Sequence, residues 1–238
     1  MQVTIQIGKN RDFRLKEAIL IYEDQVSRRE KFATVHQIIS QGLQQQASLG
    51  PGNLLTIDFL DSLHRGLHRS PRVVLLPENV LACTSDLLAW WTPSRQHRMF
   101  FSDGAEDRRA IHGAIFPHPV LVWKVQRGSL FLRALEISAR PKPDTKLMIA
   151  PYWNTASDTG DVCEGDMRRP KHTDITTMLE WEEGFFNSHF THPSGIGKLT
   201  SHAGGFIGLW SELIGRDQFP TAYLVPCKQT LEQFVLRG

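Results

Sequence analysis

The spacing of apolar residues changes period along the chain, and each change marks a segment. Residues 1–7 alternate between polar and apolar positions, as a half-buried strand does, and apolar character resumes over residues 13–21. A charged stretch from Glu23 to Lys31 and a polar run from Gln41 to Ser48 follow, closed by the chain breaker Gly50-Pro51-Gly52. Ile57, Leu60, Leu63 and Leu67 then fall at helical spacing, and residues 72–76 read as a short buried strand. This pattern predicts a small β-rich N-terminal extension over residues 1–69 and a larger α+β domain over 70–238.

The middle of the chain is more regular. Residues 119–125 and 130–137 are apolar, β-rich runs separated by Gln126-Arg127-Gly128-Ser129, which predicts a β-hairpin. Pro141-Lys142-Pro143-Asp144 is a turn, and residues 146–150 form a third short strand. The expected product is an antiparallel three-stranded meander. Residues 151–171 are irregular. Thr173 or Asp174 then offers a cap for a strongly apolar helix carrying Met178, Trp181, Phe185 and His189 on one stripe. A glycine-rich connection leads to a second helix at 206–214, ended near Gly215, then a strand or extended piece at 222–225 and a short helix at 230–236. Trp90, Trp91 and Trp210 read as core or edge aromatics.

Composition narrows the class. The 238 residues are 41% hydrophobic and 22% charged, which describes a globular chain with a real core. The formal net charge of +2 gives no support to direct nucleic-acid binding. No apolar run approaches the ~20 residues of a membrane helix, and the first residues lack the basic and apolar regions of a secretion signal. Cys83, Cys163 and Cys227 are far apart and odd in number, so a disulfide framework or thiolate zinc site is not expected, and the cytoplasm is the natural compartment.

Candidate chemistry concentrates around Cys163. A lone cytosolic cysteine is ordinarily a small packed residue. This one lies in a loop rich in Gly and Asp, between a meander and an apolar helix, and loops on rigid scaffolds are where catalytic groups gather. The flanking Asp161, Glu164 and Asp166 oppose a protease-type thiolate, which needs a cation or a helix N-terminus. They suit a thiol that accepts an acyl group by exchange from another thioester and holds it until an amine attacks. That attack needs a donor to the developing oxyanion, for which Asn154 is available, and a carboxylate to take the amine proton, for which Asp161, Glu164 or Asp166 is available. Arg168, Arg169, Lys171 and His172 form a basic run able to dock an acidic partner or a carboxylate. His64 and His68 have metal-ligand spacing but lack the glutamate of a metalloprotease helix. His112 with His118, and His189 with His192, read as hydrogen-bonded imidazoles, although His189 or His192 could tune Cys163. No cofactor is expected, since Gly195-x-Gly197 and Gly204-Gly205 lack the context of a phosphate loop.

The order hairpin, third strand, Pro151-Tyr152-Trp153-Asn154, Gly160-Asp161-Val162-Cys163, helix resembles the ubiquitin-conjugating (E2) fold. Its members carry His-Pro-Asn and then Gly-x-Ile-Cys at these places. The run Arg140-Pro141-x-Pro143-Asp144-Thr145, Ala150-Pro151-Tyr152-Trp153-Asn154, Val162-Cys163-x-Gly165-x-Met167-Arg168-x-Pro170 is similar to the prokaryotic E2-like group that includes PRTRC system protein B, and Trp181-Glu182 with Phe185-Phe186-x-Ser188-x-Phe190-Thr191-His192 fits it too. The resemblance implies an E2-like fold and a thioester on Cys163. It implies an oxyanion or loop-stabilising role for Asn154. Asp161 would then assist the amine, and Trp153, Arg168 and Arg169 would serve binding. It also implies an E1-like adenylating (ThiF-related) protein and a ubiquitin-like protein as partners, in a cassette often borne on plasmids. A non-catalytic E2-like scaffold in such a cassette is the alternative.

Overall fold

The computed structural model describes residues 15–24, 31–41, 46–67, 75–102, 106–195 and 197–236. The chain divides into two compact units, Met1–Val74 and Leu75–Gly238. In the first, β1 (Glu17–Glu23), β2 (Lys31–Gln41) and β3 (Gln46–Leu54) form an antiparallel sheet in that order, followed by helix α1 (Ile57–Leu67). The strand expected at 1–7 lies outside the described residues. Of the buried strand expected at 72–76, residues 72–74 also lie outside them, while Leu75 and Leu76 are exposed and in no strand. The chain turns immediately beyond them, where Val80 N–H donates to the Pro77 carbonyl, so this leucine pair stays off the sheet.

The second unit is built on six antiparallel strands. β4 (Val80–Cys83), β5 (Leu87–Thr92), β9 (Val120–Gln126), β10 (Ser129–Leu135), β11 (Lys146–Ile149) and β13 (Pro226–Thr230) lie in the order β13-β11-β10-β9-β5-β4. The expected meander is its centre, β9 to β11. Arg127 and Gly128, both at positive φ (50° and 81°), make the two-residue turn that suits a twisted hairpin. Short strands β6 (Arg95–Arg98) and β8 (Ile115–His118) pair antiparallel, with β7 (Phe100–Phe101) and helix α2 (Glu106–Arg109) between them. Helix α3 (Met178–Phe186) is followed by β12 (His189–Phe190), which pairs parallel with β7. Helices α4 (Gly205–Glu212) and α5 (Leu231–Leu236) complete the unit. The fold is therefore mixed, mostly antiparallel sheet with few helices.

Both faces of the sheet are covered, which is why β9 reads as a continuous apolar run. Leu121, Trp123 and Val125 point to one face, packed with Trp90, Leu132 and the aromatics of α3 and α4: Trp181, Phe185, Phe186 and Trp210. Val120 and Val122 point to the other, where Leu231, Phe234 and Val235 of α5 close over Leu135 and Leu147. Lys124 is buried on that second face, its Nζ donating to the Phe234 carbonyl at 2.9 Å and lying 4.5 Å from the Phe131 ring centroid.

Two expected boundaries move. The helix carrying Trp181 ends at Phe186, because the Asn187 N–H closes on the Glu183 carbonyl and the Ser188 N–H on the Phe185 carbonyl; His189 thus belongs to β12, not to the helix stripe. The last strand is Pro226–Thr230, not 222–225. Thr221–Tyr223 is a 3-10 turn opened by Pro220, which draws Leu224 into the core. Asp174 is the capping residue, accepting from Thr176 N–H at 2.7 Å at the start of the turn Ile175–Thr177 that leads into α3. No helix among the described residues is long and apolar enough to cross a membrane.

The core contains a polar seam. Glu182 of α3 accepts from Trp90 Nε1 at 2.7 Å and pairs with Arg95. His118 bonds the Tyr152 hydroxyl through Nδ1 at 2.8 Å, and His97 stacks on Phe186 with ring centroids 4.1 Å apart. Burial pushes the His118 imidazole down to about 3 and, with Arg95 adding repulsion, His97 down to about 4. Both are neutral in the fold and take up protons on unfolding at any pH between these values and the ordinary 6.5. Stability is therefore full above about pH 6.5 and falls on acidification, His118 alone contributing up to about 1.4 kcal/mol per pH unit. Denaturant melts from pH 7 to pH 4 are expected to show this slope, and His118→Gln to flatten it.

Candidate functional site

The segment 154–163 is a folded-back ribbon that extends the sheet. β11 pairs with β10 at Arg133 and Ala134, which leaves the first half of β10 open on that side. Leu132 N–H donates to the Gly160 carbonyl (2.8 Å) and Val162 N–H to the Leu130 carbonyl (2.9 Å), so residues 160–162 fill the open edge. The ribbon closes on itself through Ala156 N–H to Asp161 O (2.8 Å), a Thr155–Val162 bridge, and Cys163 N–H to Asn154 O at 2.7 Å. Gly160 sits at φ +81°, and a Cβ there would lie 2.7 Å from the Leu132 carbonyl oxygen, so glycine is required by both conformation and space.

Arg133 holds this ribbon from beneath. Fully buried, its guanidinium donates to the Ser157 carbonyl (3.0 Å), to the Asp158 carbonyl, and to Gln229 Oε1 from two nitrogens (3.0 and 3.2 Å). Burial pulls its pKa down, while Cys227 and Asp158 favour the charge. A charged residue in the middle of an apolar strand run was the sequence signal for it, and the sequence reading passed over it.

Cys163 stands exposed at the ribbon's end. Just beyond, Met167 N–H donates to the Glu164 carbonyl at 2.7 Å with Gly165 at φ +51°, a tight turn that buries Met167 in the core. The turn lies directly on α3. A Cβ on Gly184 would come within 2.3 Å of the Arg168 carbonyl oxygen, so only glycine lets the two backbones meet.

Asn154 is 3% exposed and left-handed (φ +59°), a conformation asparagine tolerates better than most residues. Its Nδ2 donates to the His189 carbonyl at 2.8 Å. Its Oδ1 accepts from Thr191 N–H (3.1 Å) and Thr191 Oγ1 (2.9 Å). The side chain thus ties the ribbon to residues 189–192, while its backbone carbonyl receives the Cys163 amide. Thr191 is the partner that sequence reasoning missed. Asp166, three residues past the cysteine, accepts from His189 N–H at 2.9 Å and from His189 Nδ1 at 2.6 Å. These bonds hold its carboxyl below the usual carboxylate range.

The remaining candidates spread over the same surface. Asp161 neighbours Cys163 on the ribbon, its carboxyl raised by partial burial and then by Glu164. Arg169 pairs with Glu164 at 2.8 Å and reaches the Gly128 carbonyl of the hairpin turn at 3.3 Å. Arg168, exposed, lines an open cleft of about 740 Å³ with Asp166, Arg169, Glu180 and Glu183. Trp153 is stacked on Phe206 with centroids 4.5 Å apart and Arg108 over its ring, so it packs on the core rather than standing as a free platform. Among the described residues no group of three or more His, Cys, Asp or Glu could hold a metal ion, and His68 lies outside them.

A sequence model of prokaryotic E2 family D matches residues 59–227, most of the chain and all of the ribbon, its turn and α3. The chain belongs to prokaryotic E2 family D. No curated protein and no solved structure matches it. In this family D protein backbone bonds to β10 fix the ribbon that ends at the exposed thiol, and the buried Asn154 side chain links that ribbon to His189 of the Asp166–His189 pair.

Replacing Asn154 by alanine removes four hydrogen bonds to residues 189–192 and leaves the His189 carbonyl without its donor. The expected loss is roughly 1–3 kcal/mol of stability in urea melts. Gly160→Ala should cost a similar amount for a different reason, the clash with the Leu132 carbonyl, and both variants should speed amide exchange at Cys163.

Proposed function

We propose that this protein is the thioester-carrying transferase of a bacterial ubiquitin-like conjugation cassette, of the PRTRC system protein B kind. Residues 70–238 form its E2-like domain and residues 1–69 an extension to it. The observation that carries this reading is an exposed cysteine at the end of a ribbon bonded to the central sheet, in a member of an E2 family. A thiol so placed can meet the thioester of a large partner without any rearrangement of the fold. An E1-like adenylating, ThiF-related protein would deliver the ubiquitin-like protein as a thioester. Cys163 sulfur attacks that carbonyl, the partner's thiol leaves, and an acceptor amine later displaces Cys163. The exposed guanidinium of Arg168 is the feature best suited to an acidic partner; Arg169 serves it less, because Glu164 already engages that side chain.

Asn154 supports the reaction in this reading by fixing the loop, because all its side-chain bonds are directed to residues 189–192. Asp161, two residues before Cys163 on the ribbon and with its pKa raised by partial burial, serves in this reading as a proton acceptor for the amine. The saturation of Asn154 also favours a second reading, in which the protein is a non-catalytic E2-like scaffold that binds the ubiquitin-like or adenylating protein without chemistry.

Incubation with the cognate adenylating enzyme, its ubiquitin-like protein and ATP separates the two. The transferase reading expects an adduct that is cleaved by excess thiol, lost in Cys163→Ala, and kept in Cys83→Ala and Cys227→Ala. Cys83 is also exposed, so the adduct must be mapped to a peptide and not only counted. No adduct with partners proven active on each other overturns the transferase reading in favour of the scaffold.

A further inference from the structure

The Asp166–His189 pair forms a closed circuit with the cysteine. Cys163 N–H donates to Asn154 O, Asn154 Nδ2 donates to His189 O, His189 N–H and Nδ1 both bond Asp166, and the chain returns from Asp166 to Cys163 in three residues. Asp166 has one oxygen on the backbone N–H and the other on the ring, and a carboxylate only accepts. The hydrogen therefore sits on Nδ1, and in the neutral ring Nε2 carries the lone pair. A ring held in one tautomer by a carboxylate, with the far nitrogen open, is the arrangement of a general base. Both side chains are about half exposed, the ring 47% and the carboxylate 53%. The groups around the ring are Asp166 from the turn, His112 from the segment after α2 (centroids 6.4 Å apart, rings near parallel) and Phe100 of β7. Asp166 also lines the cleft of about 740 Å³ with Arg168 and Glu183.

We propose that His189 is the base that takes the proton from the acceptor amine, with Asp166 as the residue that positions it. This rests on the transferase reading. The amine nitrogen bonds to the acyl carbon, its proton passes to Nε2, and the C–S bond breaks with its electron pair going to Cys163 sulfur. His189 then returns the proton to that thiolate. The products are an amide and a free thiol, so every atom and electron is accounted for and no co-reactant is needed. On this proposal the amine proton goes to His189 and not to Asp161, and Asp166 orients the base.

The test separates charging from discharge and needs no protein partner. A Cys83→Ser background is charged at Cys163 with the benzyl thioester of acetyl-Gly-Gly, then offered free lysine. The proposal expects charging within about twofold of the parent in His189→Gln, and discharge to lysine slowed about 100-fold or more, the usual scale of general-base catalysis. Asp166→Asn should be as slow, because its amide would donate to Nδ1 and move the hydrogen to Nε2. Asp166→Glu should recover most of the rate. Nitrogen-15 spectra of His189 should show the Nδ1–H form in the parent and the Nε2–H form in Asp166→Asn. Normal charging with undiminished lysine discharge in His189→Gln overturns the base and leaves the transferase standing, as does an Nε2–H ring in the parent. Failure of Cys163 to charge, with the Nδ1–H ring intact, instead overturns the transferase reading and the base's role with it.

Discussion

One buried cation organises the candidate site. The Arg133 guanidinium lies under the ribbon and converts two carbonyl groups, of Ser157 and Asp158, into anchors. Burying a charge this deeply is costly unless its hydrogen-bonding capacity is filled, and here backbone oxygens and Gln229 fill it. The Phe234 ring lies 5.9 Å from the guanidinium carbon, so α5 helps to fix the cation as well as closing the core. A loop of this composition would otherwise fray. Tied to Arg133 below and to β10 along its edge, it behaves as part of the sheet, and Cys163 inherits that rigidity while staying in solvent.

The second constraint is the division of labour between the two faces. One face of the sheet holds the aromatic core against α3 and α4, with Glu182 satisfying Trp90 and Arg95 inside it. The other is thin, closed by α5, and carries Lys124 and Arg133. The ribbon belongs to the sheet edge, and the turn after Cys163 rests on α3 at Gly184. The thiol therefore stands where the sheet edge meets the helix layer. Asn154 and Asp166 then tie residues 189–192, beyond the end of α3, to the ribbon and its turn, which is how residues distant in sequence join the segment that carries Cys163.

Much of this was legible in the sequence because it rests on local signals. The hairpin at Arg127-Gly128, the third strand, the irregular segment around Cys163 and the Asp174 cap are each written in neighbouring residues. The parts that were not legible depend on distant partners. β4 and β5 are short, and Trp90 announces burial without announcing a strand. The apolar run at 222–225 matches a strand by composition, yet Pro220 starts a turn there. Asn154 looked like a donor awaiting an oxyanion, since nothing in its surroundings along the chain shows that Thr191 and His189 consume its amide. His189 seemed to continue a helix stripe because its spacing fits, and only the cap at Asn187 releases it into β12, where its ring can meet Asp166.

The central claim is that the cysteine is carried by a fixed ribbon and not by a loose loop. Amide hydrogen exchange resolved to single residues tests it most directly. The account predicts that the Val162, Cys163 and His189 amides, bonded to Leu130, Asn154 and Asp166, exchange as slowly as the neighbouring amides of β10. Exchange of these three at the rate of an unstructured peptide, while β10 remains protected, would contradict it.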